Sequence, residues 1–362
     1  MLTKYANLLT RYCLDLKAND RVYVSSTYLA EPLLQEVFKA ALELGAHPIL
    51  HVDIDDTDRL MLQFANPDQL AFVNPLTKEA MENFEAFLNI RGPFNMKSLQ
   101  GIDNQKMKLR QDAMKGVNKA YFERTASGAM RRSLCQFPTQ AAAQEAGMSL
   151  SEHQRFVYSA CRLDEDDPVA AWLEVRKEQQ RYVDYLNKCS NIHYQSTDVD
   201  ITFSCKGRTW INSDGRANMP SGEVFTGPVE GSVNGRIKFT YPAIVMGNEV
   251  EGVELVVKDG RVESWSATRG KDFLDHIFTL DGARYFGEVA VGTNYRIQRF
   301  TKNILFDEKI GGTIHMAIGQ SYIQTGGKNQ SPIHIDLIAD MKNGGTITAD
   351  GEVIYRDGKF VI

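Results

Sequence analysis

The chain has 362 residues, 43% of them apolar and 24% charged, with a formal net charge of −5. This is more chain than one ordinary domain holds, in proportions ordinary for a globular protein, so two domains are expected. The acidic balance, with no basic block interleaved with aromatics, argues against general nucleic-acid binding, and no apolar run nears the roughly twenty residues of a membrane span.

The opening Met1-Leu2-Thr3-Lys4-Tyr5 lacks the apolar core of a signal peptide. Cys13, Cys135, Cys161, Cys189 and Cys205 are scattered and form no C-x-x-C pair, which suits buried free thiols in a reducing cytoplasm. Leu2, Tyr5, Leu8, Leu9, Tyr12, Cys13 and Leu16 recur at helical spacing until Asn19-Asp20 breaks the pattern. Val22-Tyr23-Val24 reads as a strand. Pro32 to Leu44 reads as a helix with Val37, Phe38, Ala41 and Leu42 on its apolar face and Gly45 as its C-cap, and Ile49 to Ile54 as a second strand. This order implies a parallel sheet with helices on its faces. Glu85 to Ile90 is a further strand candidate. The loop Ser25-Ser26-Thr27-Tyr28 has no G-x-G-x-x-G, so no dinucleotide site is expected.

Helix and strand signals mix from Met96 to Gly147. Ser151, with Gln154 placed for a capping box, opens a helix. A long helix runs from Pro168 to about Lys188, and the Asp164-Glu165-Asp166-Asp167 run before it suits a helix N-terminus. After Asn191 the character turns to β: Val199 to Ser204 and Thr209 to Asn212 alternate. Asp-Gly pairs occur at 259–260, 281–282, 350–351 and 357–358, and several of them sit between β-rich runs, a hairpin signal. The expected fold is an α/β N-terminal domain, residues 1–190, with a parallel sheet flanked by helices, and an α+β, strand-rich C-terminal domain, residues 191–362.

The candidate chemistry lies in the second half. In Ser331-Pro332-Ile333-His334-Ile335-Asp336 a strand would point His334 and Asp336 the same way, about 7 Å apart along it. An imidazole and a carboxylate so placed make one edge of a divalent-metal site, although an H-x-D alone is more often a satisfied histidine beside a surface aspartate. Glu223 and Glu288 each follow a glycine directly and precede β-formers, where an unpaired carboxylate is costly and a metal ion would remove the cost, although either segment alone reads better as a turn with a solvated glutamate. Asp307, Glu308 and Asp340 are rival carboxylates, and His47 and His51 read as structural.

The ordered set Asn218-Met219-Pro220-Ser221-Gly222-Glu223-Val224-Phe225-Thr226, Gly287-Glu288-Val289-Ala290, Gly311-Gly312-Thr313-Ile314-His315, Tyr322 and Ser331-Pro332-Ile333-His334-Ile335-Asp336 resembles the M29 family of metallo-aminopeptidases. Tyr5-Ala6-x-Leu8-Leu9 and Gly45-Ala46-His47-Pro48 extend the likeness over nearly the whole chain. The resemblance implies that Glu223, Glu288, His315, His334 and Asp336 bind two divalent cations and that Tyr322 lies at the catalytic centre. It also implies a homodimer acting on short peptides with a free N-terminus.

Three carboxylates and two imidazoles suit Zn²⁺, Co²⁺ or Mn²⁺ and admit Mg²⁺. Five ligands exceed what one open catalytic zinc needs, and bridging carboxylates would let them hold two ions. Tyr322 would then donate to an oxyanion, and a carboxylate, Glu223 or its competitor Glu308, would move the proton from water to the leaving amine. The alternatives are a metal-dependent hydrolase of another amide or ester, a non-catalytic peptide-binding protein with structural metal, and a 2-His-1-carboxylate iron oxygenase.

Overall fold

A computed structural model describes residues 1–245 and 247–362, in two compact units: Met1–Ala170 with Gly215–Pro220, and Ala171–Asp214 with Ser221–Ile362. The division falls within the helix Pro168–Leu186, ahead of residue 190, where strand character sets in.

The first unit holds a five-stranded parallel sheet in the order His47–Asp53, Arg21–Thr27, Ala86–Arg91, Arg131–Gln136, Asn218–Met219. Val22, Val24 and Leu88 are buried at its centre. The helix Glu31–Glu43 follows the first strand and ends where Gly45 takes φ +75°, a left-handed turn that a side chain would strain. Its buried face is Leu33, Leu34, Val37, Ala40 and Ala41, while Phe38 and Leu42 are exposed. The expected face was thus rotated, because Phe38 and Leu42 continue the 3.6-residue spacing equally well on the neighbouring stripe.

Two further expectations shift. The region of mixed signals contains a 24-residue helix, Asn104–Ser127, whose only buried residue is Val117, so it has no apolar stripe for periodicity to find. The helix expected to open at Ser151 spans Leu150–Ala160, capped by Ser149 and not Ser151. The Ser149 hydroxyl accepts from the Glu152 N–H, and the Glu152 carboxylate accepts from the Ser149 N–H, a reciprocal box two residues earlier than the Ser151/Gln154 pair. Asp167, the last of the acidic run, accepts from the Val169 and Ala170 N–H groups at the start of its helix. All five cysteines are free thiols, Cys13 and Cys161 among the buried ones.

The second unit contains an eight-stranded and a five-stranded antiparallel sheet. Three of the four Asp-Gly pairs turn hairpins: at 259–260, 350–351 and 357–358 both residues have positive φ. Asp281-Gly282 does not; it follows the short helix Lys271–Ile277. One apolar cluster joins the two sheets. Val289, Val291, Ile314, Met316, Ile318, Ile335 and Leu337 of the smaller sheet share it with Ile192, Tyr194, Ile201, Phe203, Ile237 and Leu255 of the larger. Each such side chain contributes about 1.5–3 kcal/mol on burial. That core leaves the opposite face of the smaller sheet able to carry groups that cost stability.

Candidate metal centre

The smaller sheet runs His334–Asp340, Thr313–Gly319, Phe286–Gly292, Glu223–Thr226, Ile211–Ser213. Ala317 is paired with Glu288 on one side and with Asp336 on the other. His315 is paired with Ala290, which is paired in turn with Phe225; Gly319 opposes His334, and Gly292 opposes Glu223. Cross-strand partners share a face, as do residues i and i+2. Glu223, Glu288, His315, His334 and Asp336 therefore all project from one face, the one turned away from the apolar cluster. Between them stand Ala290, Gly292, Ala317 and Gly319, small residues that leave room above the sheet.

A bulge stands immediately before Glu288. Phe286 opposes Ile318, but Glu288 opposes Ala317, so Gly287 is an extra residue. From Glu288 on, the alternation is regular with Ala290 and Gly292, and the bulge lets Phe286, two residues before Glu288, turn to the opposite, apolar face with Ile318. Gly287 must be glycine: an added Cβ would lie 2.3 Å from the Gln320 carbonyl oxygen. Gly222, before Glu223, takes φ +117° and packs against Asn294. The Asn294 side-chain amide donates to the Ser221 carbonyl, and the Gln179 amide donates to the Glu223 carbonyl at 3.2 Å, so the turn that presents Glu223 is held from two sides.

Among the described residues two groups of donor atoms converge, each within 4.8 Å of one another: Glu223, Glu288 and His315, and Glu288, His334 and Asp336. Glu288 belongs to both. His315 Nε2 lies 3.4 Å from Glu223 Oε2 and 3.6 Å from Glu288 Oε1; His334 Nε2 lies 3.1 Å from Glu288 Oε2 and 3.4 Å from Asp336 Oδ1. His334 Nδ1 is 2.8 Å from the Gln320 carbonyl, to which it donates, leaving Nε2 to face the carboxylates. This outer hydrogen bond is the one that orients metal-ligating histidines. Side-chain exposure rises from 1% at His315 and 7% at Glu223 to 12% at Asp336 and 23% at His334, so the site opens on the His334 side. There the Tyr322 ring centroid lies 5.1 Å from that of His334. Tyr322 stands after the end of the Thr313–Gly319 strand and leads into the turn Ile323–Thr325.

The donors fit a divalent metal. Glu223 Oε2 and His315 Nδ1 are buried without hydrogen-bond partners, an arrangement that costs stability unless something else meets them. Burial works against a charged His315, yet Glu288 and Glu223 outweigh it and push the imidazole up to about 9. Burial likewise opposes the charge on His334, and Asp336 and Glu288 push it up to about 12. On Asp336 burial is outweighed by His334, which holds the carboxyl down at about 2. The carboxylates thus draw protons onto both imidazoles, as a site does when its negative charge calls for cations.

Two neighbours complete the cluster. Glu308, weighed as a rival carboxylate, follows the short helix Ile304–Asp307; burial pushes it up to about 8 against the pull of Lys309. Lys309 was not anticipated. Its side chain is 0% exposed, and its ammonium pairs with Glu308 and lies 3.7 Å from Glu223 Oε1. The one sequence signal is its place between the apolar Phe306 and Ile310. The other two rivals are engaged elsewhere: Asp307 accepts from the Thr301 N–H and hydroxyl, and Asp340 from the Tyr241 hydroxyl.

The model of the thermophilic metalloprotease (M29) family matches residues 1–360. The chain belongs to the M29 metalloprotease family. It is 30% identical to Aminopeptidase 2 of Geobacillus stearothermophilus, over 99% of this chain and 97% of that protein. It is 28% identical to Aminopeptidase AmpS of Bacillus subtilis (strain 168), over 99% and 98%. The structure of wild-type AmpT from Thermus thermophilus is similar at a TM-score of 0.85 and 23% identity, covering 100% of this chain and 99% of that one, so the two share a fold. That fold is the expected one: a helix-flanked parallel sheet followed by a strand-rich antiparallel region. In this M29 chain the donors that fit a metal are those of the two groups that meet at Glu288.

Proposed function

We propose that this M29 metalloprotease is an aminopeptidase that hydrolyses the N-terminal peptide bond of short peptides at a site for two divalent cations, Zn²⁺, Co²⁺ or Mn²⁺, with Mg²⁺ admitted. The observation that carries the reading is the sharing of Glu288 between two ligand groups, one with Glu223 and His315 and one with His334 and Asp336. Two ions bound there would supply a nucleophile at neutral pH and polarise the scissile carbonyl. The chain's own residues do the rest. Glu288 holds the two positions together. Burial and then the Glu288 and Asp336 charges push the Tyr322 phenol up, so it keeps its O–H for the developing oxyanion. Glu223, with Glu308 its competitor, moves the proton to the leaving amine; the proton affinity of Glu308, near neutral pH, suits that work.

Relatives named aminopeptidases support the choice of reaction. A homodimer is part of the proposal. The His47–Asp53 strand is an edge of its sheet and exposes Ile49, Leu50 and Val52, an apolar row of the kind that seeks a partner. A cytoplasmic home is proposed on the five free thiols, and no helix among the described residues is long and apolar enough to cross a membrane.

Metal quantitation on freshly purified protein, coupled to an assay with Leu and Arg arylamides and their N-acetylated forms, tests the proposal. Two ions per chain and turnover only of the free amines are expected. Comparable turnover of blocked substrates would turn the reading towards a general amidase, and metal without turnover towards a peptide-binding protein.

A further inference from the structure

We propose that the buried ammonium of Lys309 makes the two cation positions unequal: it competes with a divalent ion for the Glu223 carboxylate, so the Glu288–His334–Asp336 group loads first and tightly and the Glu223–Glu288–His315 group loads second and weakly. The inference rests on the two-cation reading above.

The asymmetry is in the contacts. Lys309 Nζ lies 3.7 Å from Glu223 Oε1 and is paired with Glu308, with a side chain 0% exposed. Among the described ion pairs the counterpart on the other side, Asp336, meets only the His334 imidazole. Glu223 is thereby divided: one oxygen faces the ammonium, and Oε2, without a hydrogen-bond partner, faces His315. One oxygen, not two, is left for an ion. A second cation on that side would approach a like charge a few ångströms away in a poorly screened interior, where such repulsion costs orders of magnitude in affinity. To the extent that Glu308 is ionised it offsets part of this repulsion, because its carboxylate then neutralises the ammonium from the far side. The group with no ammonium within ion-pair distance among the described ion pairs is also the more exposed one, at 23% for His334 and 12% for Asp336, so the first ion enters by the open side. Lys309 acts in this through Glu223 and is a positioning residue.

The test is stepwise Zn²⁺ titration of the dialysed full-length protein, read by calorimetry and by native mass spectrometry, on the wild type, Lys309→Met and Glu308→Gln. In the wild type two steps are expected, separated by about tenfold or more in affinity. Lys309→Met should bring the steps together. Glu308→Gln strips the ammonium of its partner and should drive them further apart. A general loosening of the site would move both variants the same way, so the opposite signs separate the proposal from a merely structural role. Circular dichroism shows whether Lys309→Met is folded, and if it is not, the wild-type gap and its widening in Glu308→Gln decide. One ion in the wild type and two in Lys309→Met would also support the inference. Two steps of equal affinity in the wild type, or a gap unchanged in Lys309→Met, would overturn it and leave the two-cation reading standing. At most one ion in both proteins would sink that reading and the inference with it.

Discussion

Glu288 and Asp336 face each other across Ala317, each paired with it from the strand on either side. This row places two carboxylates about two strand spacings apart, roughly 10 Å between backbones, with only a methyl group between them. Their side chains lean inward over it, and both meet His334 Nε2, at 3.1 and 3.4 Å. Ala317 is therefore as much a part of the candidate site as the donors around it, because a larger residue would fill the space into which they converge.

Glu288→Gln should remove more metal than any other single change. Glu288 belongs to both donor groups, whereas Glu223, His315, His334 and Asp336 each belong to one. Elemental analysis after reloading should give near-complete loss for Glu288→Gln and partial loss for Asp336→Ala or His334→Ala. Those two alanine variants should be inactive while their circular dichroism stays native, because the apolar face of the sheet is untouched. Wild-type activity in either would remove that residue from the ligand set.

Gly287→Ala should cost both stability and metal. The new Cβ would lie 2.3 Å from the Gln320 oxygen and 2.6 Å from its carbonyl carbon, backbone atoms that cannot swing aside. Forcing them apart costs about 1–3 kcal/mol. Because Gly287 is joined directly to Glu288, any relaxation that relieves the clash also moves a donor of the candidate site. Gly116→Ala is the control: nothing lies within 4 Å of its added Cβ, and it sits within the Asn104–Ser127 helix. A melting point for Gly287→Ala equal to that of the wild type would show that the bulge is soft.

The sequence showed the fold where burial was periodic and hid it where burial was not. The Arg21–Thr27 strand and the Glu31–Glu43 helix carry their patterns in Val22, Val24, Leu33 and Val37. The helix Asn104–Ser127 buries only Val117 and offered nothing to read. At the site, the pairing of His334 with Asp336 followed from spacing alone, since i and i+2 share a strand face. The convergence of Glu223, Glu288 and His315 did not, because it depends on register between strands far apart in sequence. Lys309 was invisible for a related reason. A lysine is read as solvated unless its partners are known, and both of them, Glu308 beside it and Glu223 far from it, meet it only in the folded chain.

The metal-free protein should lose stability as the pH rises from about 7 to about 10. His315 is pushed up to about 9 in the folded state, above the ordinary value for a histidine. A raised folded value contributes stability that is fully present below the unfolded value and lost as the pH passes the folded one. Glu308, raised to about 8, acts with the same sign, since its buried carboxyl must ionise in that range. Cations should displace the protons from the imidazoles, so loading should release protons, and the loaded protein should show a flatter profile. Melting curves of dialysed and loaded protein across that range test this. Parallel profiles would mean that the imidazoles are not the groups the metal engages.

Tyr322→Phe should keep the metal and lose most of its turnover. The Tyr322 ring packs 5.1 Å from the His334 ring and 5.7 Å from that of Phe225, which fixes where the phenol stands. The residue as a whole is 41% exposed, so its ring is not part of the core, even though the hydroxyl end is crowded enough for burial to push the phenol up. Phenylalanine preserves both ring contacts, and with them the orientation of His334, whose other nitrogen stays on the Gln320 carbonyl. What is lost is one O–H donor. Neither donor group includes the phenol, so metal content should be unchanged. An oxyanion exists fully only after the carbonyl has been attacked, so the loss should fall on kcat far more than on KM. Removing one such donor costs about 10²–10³ in rate. A kcat within a few fold of wild type would show that Tyr322 serves only to pack against His334. Loss of metal instead would show that it holds a ligand in place.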